Sequence, residues 1–134
     1  MNMNERHDAK TVDESNIGEY IRAASTILED QRATDIELLH VAKLTTMADY
    51  FIICSGNSVT HIRALSEAVE HELETRFGLR PHHIEGYSAA NWILMDYGFL
   101  VVHIFHRETR QFYSLSRLWN DPGQADQAEG KQVD

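Results

Sequence analysis

Eight histidines, one cysteine, the run Ser55-Gly56-Asn57-Ser58 and the strand carboxylates Asp49 and Asp96 are the residues of this chain whose types could do chemistry. Histidines hold a metal when several converge on one ion. His103 and His106 stand three apart in an extended run, which points them to opposite sides, and the adjacent His82 and His83 diverge for the same reason. No metal centre is predicted. A nucleophile would need an exposed thiol or hydroxyl beside a base, yet Cys54 ends the apolar run Tyr50 to Cys54, where a thiol packs as a small hydrophobe. The turn Ser55 to Ser58 follows a strand and opens a helix, a place where backbone amides can receive a phosphate, as in nucleotidyltransferase folds. Phosphoryl transfer also needs closely placed carboxylates for divalent ions, and no Asp-x-Asp or Glu-x-Asp pair follows on the next strand. A nucleotide-binding enzyme of the nucleotidyltransferase type is therefore the alternative reading, and the leading one has no catalytic residue, no metal and no cofactor.

The chemistry of recognition is better supplied. If Ile93 and Met95 face one side of a strand, Trp92, Leu94 and Asp96 face the other, with Tyr97 at the following turn. These residues fit ordinary packing of the sheet's second face under a helix, or else an exposed apolar patch with an acidic rim. Trp and Tyr dominate binding hot spots, so on the second reading Trp92, Leu94, Asp96 and Tyr97 are the candidate partner-binding residues. The same aromatic hairpin could instead join two copies of the chain as a homodimer. The acids Glu67, Glu70, Glu72 and Glu74 on the preceding helix read as a solvated face.

These residues need elements to position them. Ile17, Tyr20, Ile21, Ala24, Ile27 and Leu28 recur at helical spacing and predict a helix ending near Gln31, with Ser15 or Asn16 as its cap. Asp35 to Val41 predicts a strand, and Asp49 to Cys54 a second one, apolar throughout and so buried on both faces at the centre of a sheet. Val59, Ile62, Leu65, Val69, Leu73 and Phe77 predict a second helix, capped by Ser58 and closed by Gly78. A short strand is expected around Ile84 before Gly86. Trp92 to Asp96 and Phe99 to Phe105 then form a hairpin across Tyr97-Gly98, and Tyr113, Leu115, Leu118 and Trp119 suggest a terminal helix stopping before Pro122. The order implies an α/β (α+β) domain, a mixed β-sheet flanked by helices.

At 134 residues, 43% hydrophobic and 25% charged, the chain has the size and composition of one globular domain. Its net charge of −9 argues against direct sequence-specific binding of nucleic acid and favours a basic partner. Residues 1–14 and 121–134 are polar and read as disordered tails, carrying −2 and −3 and leaving −4 on residues 15–120. No apolar stretch approaches the ~18 residues that cross a bilayer. A lone cysteine and the acidic, core-less N-terminus predict a reducing, cytoplasmic setting without a membrane.

Five ordered blocks then carry a resemblance. Met47-Ala48-Asp49-Tyr50-Phe51-Ile52-Ile53-Cys54-Ser55-Gly56-Asn57-Ser58 with His61, Glu85-Gly86, Trp92-Ile93-Leu94-Met95-Asp96-Tyr97-Gly98, Val101-Val102-His103-Ile104-Phe105, and Arg110 with Tyr113, Leu115, Leu118 and Trp119 closely resemble the ribosomal silencing factor (RsfS, Iojap) family over residues 17–120. The resemblance implies a nucleotidyltransferase-like fold without catalysis. It implies a partner, protein number fourteen of the large ribosomal subunit, whose occupation blocks subunit association and represses translation under nutrient limitation. It places Trp92 and Tyr97, with Asp96 beside them, on the family's contact positions; Leu94 is added by strand alternation. Two residues depart from the family's pattern: Ser116 stands where a Glu is usual, and Tyr97 where an aliphatic residue is frequent.

Overall fold

The structure is a computed structural model, and it describes residues 16–113; the expected tails, 1–14 and 121–134, lie outside these, as do Leu115, Leu118 and Trp119 of the expected terminal helix. Helix α1 (Ile17–Asp30) buries Tyr20, Ile21, Ala23, Ala24 and Leu28 along one stripe, as its spacing requires, and Gln31 closes it. Strand β1 (Thr34–His40) follows, with a bulge between Thr34 and Glu37 where Asp35 takes a positive φ of 52°. Strand β2 (Tyr50–Gly56) is buried along nearly its whole length. It runs through Ser55 and Gly56, two residues beyond the expected break, because both pair with β5 (Leu100–His106).

Helix α2 (Val59–Phe77) begins where Ser58 accepts the His61 N–H at 3.0 Å and ends at Gly78 in the left-handed conformation, φ 68°. Short strand β3 (His83–Glu85) and strand β4 (Trp92–Asp96) come next, both where the sequence places them. Strand β5 starts one residue later than expected, at Leu100, so the hairpin turn comprises Tyr97, Gly98 and Phe99 rather than two residues. Helix α3 (Arg107–Tyr113) leaves β5 at once, ahead of the apolar spacing that announces a terminal helix.

The five strands lie in the order β1-β2-β5-β4-β3, with β2 and β5 parallel and every other pair antiparallel. The expectation of a mixed α+β sheet flanked by helices is met, with β5 rather than β2 at the middle. The parallel pairing follows from the chain path: α2 crosses from the end of β2, and the β3–β4–β5 meander returns the chain beside β2 in the same direction. Strand alternation then divides the sheet. Ile52, Cys54, Ile93, Met95, Leu100, Val102 and Ile104 pack against α1 and α2, while Phe51, Ile53, Val101, Phe105 and Leu39 form a second cluster on the reverse. That reverse face carries the candidate site. No described helix is long and apolar enough to cross a membrane.

Candidate functional site

The site is built on β4, and three devices fix that strand. Gly86 turns the chain at φ 84°, and a Cβ there would stand 2.1 Å from the Trp92 carbonyl oxygen, so only glycine allows the turn to approach the strand this closely. Arg63 of α2 donates from Nε to the Tyr87 carbonyl at 3.0 Å and from Nη2 to the Ser88 carbonyl, pinning the loop before β4. The His106 N–H donates to the Asn91 carbonyl at 2.9 Å, which sets the start of β4 against the end of β5.

On the strand so fixed, Trp92 and Leu94 are half-buried and pack against the reverse-face cluster. The Trp92 indole stacks on Phe105 with centroids 4.8 Å apart and planes at 28°. Its Nε1–H donates to Nδ1 of His103 at 3.1 Å. Asp96, also half-buried, accepts the Gly98 N–H on Oδ1 at 2.8 Å and so closes the hairpin turn. Its other oxygen lies 3.7 Å from Nδ1 of His83, whose Nε2 is 2.9 Å from Glu85. Glu85 is opposite Leu94 in register and His83 opposite Asp96, so an acid-rich rim borders the two apolar side chains.

Tyr97 requires a correction. Strand alternation carries it to the helix side, where it is 2% exposed within the core beneath α1 and α2, and so it contributes no ring to the Trp92 face. Burial raises the pKa of its phenol, and the charges of Glu70 and Glu74 act in the same direction. The structure brings Trp92, Leu94 and Asp96 together and leaves Tyr97 behind them as packing.

The groups weighed for catalysis have structural partners in two places, at Cys54 and at the turn that follows it. Cys54 is buried and its thiol is pushed up to about 12 by that burial, against the smaller opposing influence of Arg110. In the Ser55 to Ser58 turn, the Asn57 N–H donates to Nδ1 of His61 at 3.0 Å, and Nε2 of the same ring lies 2.8 Å from the Gln31 carbonyl oxygen. A Cβ on Gly56 would stand 2.8 Å from the Ile62 side chain, so this glycine answers to helix packing. Among the described residues no group of three or more His, Cys, Asp or Glu could hold a metal ion.

Two sets of residues escaped the sequence reading. Glu85 and His83 join the rim only through the β3–β4 register, which periodicity over three residues cannot supply. His103, weighed only as a metal ligand, is 2% exposed beneath Trp92, and its imidazole is held down at about 4 by burial. A lone polar residue inside the run Val101 to Phe105 was the signal available. Arg110 ties the reverse face together, donating to Ser55 Oγ at 3.0 Å and to Glu37 at 2.9 Å.

Comparison with known proteins adds three kinds of likeness. A family model described as "Ribosomal silencing factor during starvation" matches residues 14–134. A ribosomal silencing factor RsfS of Bacillus subtilis is 36% identical across 79% of this chain and 89% of its own length. The mouse protein named "Mitochondrial assembly of ribosomal large subunit protein 1" is 33% identical across 70% of this chain and 42% of its own length. Among solved structures, a Chromobacterium violaceum protein superposes with a TM-score of 0.74 at 32% identity, covering 78% of this chain and 86% of that one.

Proposed function

The chain belongs to the ribosomal silencing factor family, and from that premise we propose that it binds the large ribosomal subunit and prevents the small subunit from joining it. The contact runs through the large subunit's universal protein number fourteen, in the cytoplasm, and represses translation when nutrients are short. No reaction is involved. A body of this length has a diameter of about 35 Å, enough to keep apart two surfaces that must otherwise meet.

One observation carries the reading. Trp92 and Leu94 stand half-buried on the sheet face away from α1 and α2, bordered by Glu85 and Asp96, on a strand whose position is fixed from three sides. An aromatic anchor in a firm setting with a charged border is the anatomy of a standard interface of about 800 Å² per partner. The acids suit a basic protein surface, and the name of the mouse relative ties that protein to the large subunit. The fixed backbone matters because a surface that is already ordered loses little entropy on docking.

The test is direct. Purified chain added to separated subunits should co-sediment with the large one and lower the light scattered on mixing with the small one. Trp92→Ala should weaken large-subunit binding by about 2 kcal/mol or more. Co-sedimentation of folded Trp92→Ala at the wild-type affinity would remove this surface from consideration.

A further inference from the structure

The reverse face of the sheet holds an unusual group. His103 is 2% exposed, flanked by Phe51 edge-on at 4.5 Å and by Phe105 on its own strand, and its Nε2 has no hydrogen-bond partner among the described residues. Its other nitrogen accepts the Trp92 indole N–H. An indole nitrogen can only donate, so Nδ1 must offer a lone pair and the imidazole proton must reside on Nε2. Among the described residues, therefore, a buried donor stays unmatched while an acceptor is presented to Trp92.

A phenylalanine would fill the same layer without leaving a donor unmet, and buried polar groups without partners are few in folded proteins. What the imidazole adds is control of the indole. Stacking on Phe105 fixes the plane of the Trp92 ring, but it leaves open which way the ring faces within that plane. The hydrogen bond to His103 selects one orientation.

We infer that His103 is a positioning residue for docking: it holds the Trp92 indole in the orientation that the partner receives, so that the anchor is set before contact. This rests on the reading of Trp92 as the anchor, and it assigns the orientation of that anchor to a side chain the partner never touches. Losing one such bond is expected to weaken binding about fivefold, the equivalent of a single neutral hydrogen bond.

The experiment compares His103→Phe, His103→Asn and Trp92→Ala in large-subunit binding, with the indole N–H resonances followed by ¹⁵N NMR. The chain has two tryptophans, so Trp92→Phe assigns the signal. His103→Phe should shift the Trp92 resonance towards that of an unbonded indole and weaken binding about fivefold, while His103→Asn, which keeps an acceptor, should return both towards wild type. His103→Leu replaces His103→Phe if the larger ring prevents folding. Equal binding by the Phe and Asn variants, with Trp92→Ala still impaired, would overturn the positioning role and leave the docking surface intact. Wild-type binding by Trp92→Ala would overturn the docking surface and the positioning role with it.

Discussion

Beneath α1 and α2 the sheet presents Ile52, Cys54, Ile93, Met95, Leu100, Val102 and Ile104, all buried, whereas its reverse carries His103, half-buried Trp92 and Leu94, Asp96, and the Arg110 ion pair with Glu37. The same strands supply both faces, since alternation sends successive residues to opposite sides. On the helix side the apolar groups of the central strands are removed from water by the chain itself, and the product is stability; on that side Leu38, on the edge strand β1, is 51% exposed. On the reverse, polar groups are drawn in among aromatics and apolar ones are left partly wet, an arrangement that sacrifices some stability to hold a surface in a defined shape. The difference teaches where to look for a docking surface: on the face whose packing is chemically mixed.

The largest test of this contrast pairs two leucines. Leu73 is fully buried on α2, and Leu73→Ala should lower stability by about 3 to 4 kcal/mol in urea unfolding, with the affinity of the remaining folded protein for large subunits unchanged. Leu94→Ala, at a half-buried position, should lower stability by about 1 kcal/mol and weaken binding by a similar amount. If Leu73→Ala abolished binding by folded protein, or Leu94→Ala left it untouched, the division of labour between the faces would be wrong.

Acid should expose the burial of His103. Its imidazole sits at about 4 in the folded chain against 6.5 when unfolded. Above pH 6.5 both states hold it neutral and its contribution is constant. As pH falls from 6.5 towards 4 the unfolded chain takes up the proton and the folded chain does not, so stability declines, by about 3 kcal/mol at most, and levels off below. Around the ring, β2 presents Phe51, Ile53 and Ser55, β4 presents Trp92, Leu94 and Asp96, and α3 contributes Arg110, paired with Glu37. Because other groups of the chain also respond to acid, the measurement is the difference between wild type and His103→Phe. A difference that does not change between pH 7 and pH 4.5 would show that His103 is protonated as readily in the folded chain.

Gly86→Ala probes what holds the reverse face in place. The added Cβ would meet the Trp92 carbonyl oxygen, and the residue would retain a positive φ, so a loss of about 2 kcal/mol is expected together with displaced amide resonances along β4. A variant as stable as wild type would show that the turn relaxes freely and that β4 is less constrained than the strand pairing implies.

The helix face was the more legible of the two in the sequence. Helical spacing from Ile17 to Leu28 and from Val59 to Phe77, Ser58 as a cap, Gly78 as a stop and the apolar run before Ser55 each reflect one local rule, and each has its element. The reverse face was legible only in outline. Alternation places Trp92, Leu94 and Asp96 together, and the same alternation carries Tyr97 to the core, so its nearness to them at the turn does not put it on their surface. Glu85, His83 and the His103–Trp92 bond depend on register between strands, and a register is set by long-range pairing that no local pattern encodes.

The smallest expected effect separates the border of the site from its centre. Asp96→Asn keeps the oxygen that accepts the Gly98 N–H and so preserves the hairpin turn, while removing a charge that is 21% exposed at the side chain. A border charge acts mainly over distance, raising the encounter rate with a basic surface, and salt screens it within about 10 Å at 0.1 M. Association with large subunits should therefore slow a few-fold at low salt and match wild type at high salt, with dissociation nearly unchanged. Trp92→Ala should behave in the opposite way, speeding dissociation at every salt concentration, because what it removes is contact. If Asp96→Asn instead accelerated dissociation, the carboxylate would be a direct partner of a basic group, and the centre of the interface would extend from the indole to the hairpin turn.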